Sequence, residues 1–202
     1  MAIPLEKIAI ADDEQSVLLL MKEIVQDLGY ECVGIAQNGA DAVELVRRTQ
    51  PQVLLLDVHM PVLDGMKVLA QIVEMKTTAV VMLTGDPDIE LARRAMDAGA
   101  SGYMQKPMES MQIAAIVESA WHRFQTIHSL QEEKKALDAA LETRKLTEKA
   151  KGILMEQQGF SEDDAHKCLL KMSQDQGIPL KEVCRSIIQV KMLLGKKSKR
   201  AA

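Results

Sequence analysis

Val53-Leu54-Leu55-Leu56-Asp57 decides how the first half of this 202-residue chain folds. Four successive apolar residues leave no polar face, which suits a strand covered on both sides within a parallel sheet. A carboxylate stands at the strand's C-terminal end. The same pattern recurs on either side. Strands are read at Lys7–Ala11, Glu31–Ile35, Val53–Asp57, Ala79–Thr84 and Gly102–Met104. Between them lie helical segments of about 10–15 residues, at roughly 14–28, 38–48, 64–74 and 88–98. Gly29 and Gly99 stand where helix C-caps are expected, and Asn38-Gly39 and Pro51 punctuate the second crossover. Five strands with helical crossovers predict an α/β, doubly wound, five-stranded parallel sheet. Its functional groups should collect beyond the carboxyl ends of the strands.

The rest of the chain carries no strand signal and reads as a small all-α domain with a long coiled-coil-like helix. One helix is expected from about Ser110 to His128 and another from about Leu130 to Gln158, ended by Gly159. Ile127, Leu130, Leu137 and Leu141 form a short seam that Lys134 interrupts. Ser161 with Asp164 reads as a capping box, opening a helix with Ala165, Cys168, Leu169 and Met172 inward. Gly177 ends it, and Pro179 starts a last helix with Leu180, Val183, Ile187, Val190 and Leu194 inward. The segments are therefore 1–125, 126–195 and a basic tail at 196–202.

Composition narrows the function. No apolar run approaches the roughly 20 residues of a membrane helix. The first ten residues carry an early acid and no cleavage pattern, so no secretory signal is expected. Three dispersed cysteines, Cys32, Cys168 and Cys184, make no disulfide framework and point to a reducing cytoplasm. His166 and Cys168 fall short of a closed zinc site. The net charge of −4 alone argues against nucleic acid, but it averages unlike parts. Residues 1–125 hold 10 Lys/Arg and 18 Asp/Glu, whereas residues 126–202 hold 15 and 11. With only five aromatic residues, base stacking on a side-chain platform is not expected.

Acids stand at two strand ends: Asp12 and Asp13 after the first strand, Asp57 ending the third. Adjacent first and third strands would gather these carboxylates, and a pair about 4 Å apart repels by about 4 kcal/mol at an effective dielectric of 20. Such a cluster raises a pKa or binds a hard cation, and an open oxygen site suits Mg²⁺. Two further strand ends supply Thr84 and Lys106, a hydroxyl and an ammonium suited to a phosphoryl group. Alone, Asp12 reads equally well as a helix N-cap; the set does not.

Asp12-Asp13, Asp57 with Met60-Pro61 and Asp64-Gly65, Thr84-Gly85, and Tyr103-x-x-Lys106-Pro107 together resemble a response-regulator receiver domain over residues 1 to about 125. The resemblance implies a flavodoxin-like fold in which Asp57 accepts a phosphoryl group from a sensor histidine kinase. Asp13, Asp57 and the His59 carbonyl would hold Mg²⁺, with Asp12 helping through water. Thr84 and Lys106 would contact the phosphoryl oxygens, Tyr103 would be the switch aromatic, and Lys106-Pro107 would be cis. His59 and Asp86, two residues past Asp57 and Thr84, are expected to flank the water path and tune the phosphate's lifetime. A phosphatase with an aspartyl nucleophile is the weakest alternative, because His59 stands where a general acid would be wanted. The protein is therefore expected not to be an enzyme.

The output lies after about residue 126. Pattern alone leaves DNA readers, RNA readers and a protein-interaction bundle open. Glu148-Lys149-Ala150-Lys151-Gly152-Ile153-Leu154-Met155, Gly159-Phe160-Ser161-Glu162-Asp163-Asp164-Ala165, Leu169-Leu170 and Leu180-Lys181-Glu182-Val183 resemble an ANTAR domain over about 130–194. His166 and Cys184 stand where that family usually has Tyr or Phe and Ala. The resemblance implies an RNA-binding transcription antiterminator whose partner is a pair of RNA stem-loops in a leader transcript. Lys149, Lys151, Lys167, Lys171, Arg185 and Lys191 are the candidate phosphate contacts. Gly152 inside a helix costs about 1 kcal/mol against Ala, so a neighbouring helix or RNA backbone is expected close to it. Two loops call for two readers, hence a homodimer on phosphorylation.

Overall fold

A computed structural model describes residues 4–86 and 88–198, with side chains as far as Lys191. Five strands, β1 (Lys7–Ala11), β2 (Glu31–Ala36), β3 (Val53–Asp57), β4 (Ala79–Thr84) and β5 (Gly102–Gln105), form a parallel sheet in the order β2-β1-β3-β4-β5. The crossovers are α1 (Gln15–Asp27), α2 (Gly39–Thr49), α3 (Gly65–Met75) and α4 (Ile89–Asp97). This is the doubly wound, flavodoxin-like architecture expected. Every residue of β3 is buried, because helices cover both faces of this central strand. Alternate β3 side chains feed two cores. Leu54 and Leu56 join the layer of α2 and α3, and Val53 and Leu55 join that of α1 and Ile113, Val117 and Trp121.

The caps follow the sequence. Asn38, Asp64 and Asp88 accept N–H bonds at the starts of α2, α3 and α4. Gly29 and Gly99 take positive φ beyond α1 and α4. One β3–α3 turn is less comfortable. The Leu63 N–H bonds to the Pro61 carbonyl at 2.8 Å, with Val62 between them at φ 68°. That is a γ-turn of the strained hand, and Val62 is 84% exposed, so no packing repays it. Val62→Asn should stabilise this unit by about 1 kcal/mol, since Asn tolerates positive φ and a β-branched residue does not. Thermal unfolding followed by calorimetry checks this; a lowered midpoint would mean that the valine is making a contact the turn needs.

The two helices expected at Ser110–His128 and Leu130–Gln158 are one, α5 (Ser110–Gln158), 49 residues long. Neither Pro nor Gly occurs between Ser110 and Lys151, so nothing ends the helix near Ser129. The chain divides into two compact units inside α5, one up to Ser129 and one from Leu130. In the second unit, α5, α6 (Glu162–Gln176) and α7 (Leu180–Ser198) pack Ala150, Leu154, Ala165, Leu169, Val183 and Cys184 into a core. The Ser161 hydroxyl accepts the Asp164 N–H at 3.2 Å, closing the cap of α6. Val190, expected inward, is 54% exposed. Lys196-Lys197-Ser198, read as tail, continue α7. The Leu194 side chain and residues 199–202 lie outside the described residues.

Candidate functional site

The sheet order puts the ends of β1, β3, β4 and β5 side by side, and the site is what these four ends carry. Asp12 follows β1 and is fully buried. Its Oδ1 accepts the Glu14 N–H at 3.0 Å, fixing the entry to α1, and its Oδ2 receives the Lys106 ammonium at 2.5 Å. Asp57 is 5% exposed. Its Oδ1 receives the same ammonium at 2.6 Å, and its Oδ2 accepts the His59 N–H at 2.7 Å. Lys106 is delivered by the end of β5, where its backbone N–H bonds to the Thr84 carbonyl at 2.7 Å and the Lys106–Pro107 peptide is cis.

The charges set the chemistry. Two buried carboxylates share one ammonium, leaving one negative charge in excess. Burial pushes the Asp57 carboxyl above its ordinary value, and the Lys106 hydrogen bond and charge only partly offset it. Burial pulls Lys106 down, but hydrogen bonds to Asp12 and Asp57 outweigh it and hold the ammonium above its ordinary range. Asp57 therefore presents a desolvated carboxylate oxygen, and the local excess charge is complementary to a hard cation.

The structure joins Asp12, Asp57 and Lys106 directly. Asp13 is exposed beside them. Among the described residues no three acidic, His or Cys side chains gather into a closed cage. The donor set still fits Mg²⁺, which takes one or two carboxylates and keeps several waters. Thr84 is fully buried, and its hydroxyl accepts the Asp86 N–H at 3.1 Å and so belongs to its own loop. Tyr103 packs against the α2–α3 core, and its hydroxyl is buried without a hydrogen-bond partner among the described residues. The His59 and Asp86 side chains are exposed.

Sequence reasoning named two glycines, Gly65 within the receiver motif and Gly39 as punctuation, without their steric role beside this site. A Cβ on Gly65 would stand 2.3 Å from the Asp57 carbonyl oxygen, and one on Gly39 2.0 Å from that of Leu63. Gly39 reads in sequence only as turn punctuation; its seat under the β3–α3 loop depends on chain segments far apart in sequence.

In the helical unit, α5 supplies acids that meet the cations of α7. Glu142 binds Lys181 at 2.5 Å and Arg185 at 2.8 Å, Arg185 also binds Glu182, and Glu156 binds Lys191. Lys151, expected on the solvent face, is 8% exposed and is held by Glu148 and Glu162 at 2.8 and 2.7 Å. It clamps α5 to the start of α6. Lys149, Lys167 and Lys171 are exposed and have no ion pair among the described residues. Gly152 is not a close-approach site for another helix, because a Cβ there would meet nothing within 4 Å.

Comparison with known proteins agrees with this division. The response regulator receiver domain family matches residues 8–118, and the ANTAR domain family matches residues 135–188. The transcriptional regulatory protein PdtaR of Mycobacterium tuberculosis strain H37Rv is 35% identical over 188 residues, spanning 93% of this chain and 91% of its own length. A protein-glutamate methylesterase of Burkholderia thailandensis is 34% identical over 104 residues, covering 50% of this chain but only 29% of its own, so a receiver alone does not fix an output. Among solved structures, the CheX–CheY–BeF3–Mg²⁺ complex from Borrelia burgdorferi matches with a TM-score of 0.55 and 25% identity, over 58% of this chain and 89% of that one. The receiver domain of the response regulator NarL from Mycobacterium tuberculosis matches with a TM-score of 0.54 and 26% identity, over 60% and 98%. The chain belongs to the response regulators that couple a receiver domain to an ANTAR domain, a family of signalling proteins and not of enzymes.

Proposed function

We propose that this protein is a phosphorylation-switched RNA-binding regulator that acts as a transcription antiterminator. The observation that carries the reading is the Lys106 ammonium held between buried Asp12 and Asp57, on a chain whose other unit is an ANTAR domain. Asp57 is the nucleophile: a carboxylate oxygen forms a P–O bond while the P–N bond of a sensor kinase phosphohistidine breaks, and the departing imidazole takes its proton from solvent. Asp12, Asp13, Asp57 and the His59 carbonyl would hold Mg²⁺, which neutralises phosphoryl charge when bound. Lys106 stabilises the new phosphoryl oxygens, and Thr84 reaches them by giving up its bond to the Asp86 N–H. Movement of Thr84 changes the surroundings of Tyr103, the proposed switch.

The output is RNA in a leader transcript. Lys149, Lys167 and Lys171 are open to phosphate. Arg185 and Lys191 become available as RNA phosphates displace Glu142, Glu182 and Glu156. Lys151 supports the fold and touches RNA least. A second copy pairs along Leu130, Leu137 and Leu141, exposed on α5, giving two readers for two loops.

The test treats the protein with a small phosphodonor and Mg²⁺, then measures binding to stem-loop RNAs with randomised loops and to duplex DNA of matched sequence. Phosphorylation should yield a homodimer and tighten RNA binding at least tenfold, with a salt slope of about −0.7 per phosphate contacted. Duplex DNA bound as tightly as RNA would replace the reading with a DNA regulator. Equal RNA affinity before and after phosphorylation would overturn the switch.

A further inference from the structure

Gly152 has no task inside the fold. Glycine is among the poorest residues for a helix interior, this one is exposed, and neither a crowded neighbour nor a positive φ asks for it. It lines a groove of about 630 Å³ between α5 and α7, together with Lys149, Ile153, Glu156, Ile188 and Lys191. The lining is ordered by chemistry. Ile153 and Ile188 supply aliphatic surface, Lys149 is an exposed cation with no ion pair among the described residues, and Lys191 is paired with Glu156.

We infer that this groove takes one unpaired nucleobase that carries an exocyclic amino group, displayed by the loop of an RNA stem-loop. The inference rests on the RNA-binding reading above and adds the place and kind of contact. An aliphatic slot accepts the face of an unstacked base in a protein with few aromatics. Two lysines on its lining match the phosphates on either side of that base. The missing Cβ at Gly152 lets the sugar–phosphate backbone lie against α5. When a phosphate draws Lys191 away, the Glu156 carboxylate is free to accept from an amino group, which adenine, cytosine and guanine have and uracil lacks. An apolar protein helix seated here would offer the Lys149 ammonium no anionic partner, whereas a phosphate does, so charge favours the nucleic acid.

Gly152→Leu tests this in the full-length protein. Leucine is a strong helix former and its Cβ would meet nothing within 4 Å, so the variant should melt no lower than wild type while its side chain occupies the groove. The probes are stem-loop RNAs selected by wild-type protein from a randomised-loop pool. In wild type, an abasic nucleotide or a uracil at one loop position should weaken binding at least tenfold. Gly152→Leu should weaken binding of the intact RNA by a similar factor and show no further loss with the abasic RNA. Wild-type affinity in the variant, or equal losses on intact and abasic RNA, overturns the groove as a base site while leaving RNA binding intact. If wild type selects no RNA, the RNA reading fails and this inference with it. Should leucine lower the melting temperature, Gly152→Gln serves the same comparison with a polar side chain.

Discussion

Gly39→Ala should cost at least about 3 kcal/mol of the receiver unit's stability, far above a usual glycine-to-alanine change. Ordinarily alanine at a helix N-terminus would help, because it restricts the unfolded chain. Here the added methyl would stand 2.0 Å from the Leu63 carbonyl oxygen, 2.7 Å from Val68 Cγ2 and 2.8 Å from the Leu63 carbonyl carbon. Two of those three neighbours are backbone and cannot rotate away. Either α2 lifts, opening the layer of Ala42, Val43 and Val46 against α3, or the 61–64 loop moves. That loop joins the anchored end of β3, where the Gly65 N–H bonds to the Val58 carbonyl at 2.9 Å. The substitution should therefore slow phosphoryl uptake by Asp57 as well as destabilise. Urea titration gives the first quantity and phosphoryl incorporation the second. A loss below about 1 kcal/mol with uptake unchanged would mean that the loop yields without cost, and the glycine would then have no role in placing the site.

The second large effect has two opposite signs. Asp57→Asn should abolish phosphoryl incorporation, a loss of at least about a thousandfold, because an amide is no nucleophile at this position. The same variant should be more stable at neutral pH. Asparagine keeps the shape and an acceptor for the His59 N–H, and it reduces two carboxylates around Lys106 to one. Burial raises the Asp57 carboxyl above its ordinary value of 3.8, so the folded state holds a proton at Asp57 more tightly than the unfolded chain does. Ionised Asp57 then costs stability above its folded pKa, and that cost fades as the pH falls through the folded value toward the ordinary one. The gain from Asn should be full near neutrality and shrink in acid. Mg²⁺ should raise the melting temperature of wild type more than that of the variant. Thermal scans across pH, with and without Mg²⁺, check both statements. A variant less stable than wild type at pH 7 would mean that the Asp57–Lys106 bond outweighs desolvation.

Much of the receiver was legible because its signals are local. An apolar strand ending in an acid and a glycine past a helix each declare themselves within a few residues, and β3 and Gly29 stand as expected. Asp57 and Lys106 were legible as a pair because parallel topology forces strand ends together. The unread parts depend on distant partners or on signals that are missing. Gly39 matters through Leu63, and Lys151 is buried because Glu162 lies across from it. The two helices expected on either side of Ser129 are one because no Pro or Gly there breaks α5, and the boundary expected between two domains is not a boundary between helices.

Tyr103 gives the fold a bias that can be reckoned as a population. A buried phenolic hydroxyl without a partner among the described residues forgoes about 1–3 kcal/mol, and about 1.4 kcal/mol is a factor of ten. For a side chain proposed to alternate between two positions, the inward one is thus handicapped at least several-fold by a single oxygen atom. Whatever new contact Thr84 makes need not be strong to redistribute the two. Under the proposed switch, one phosphoryl group would tip a resting protein poised in this way, and its idle leak into the active form would be set by how completely that oxygen is kept from water.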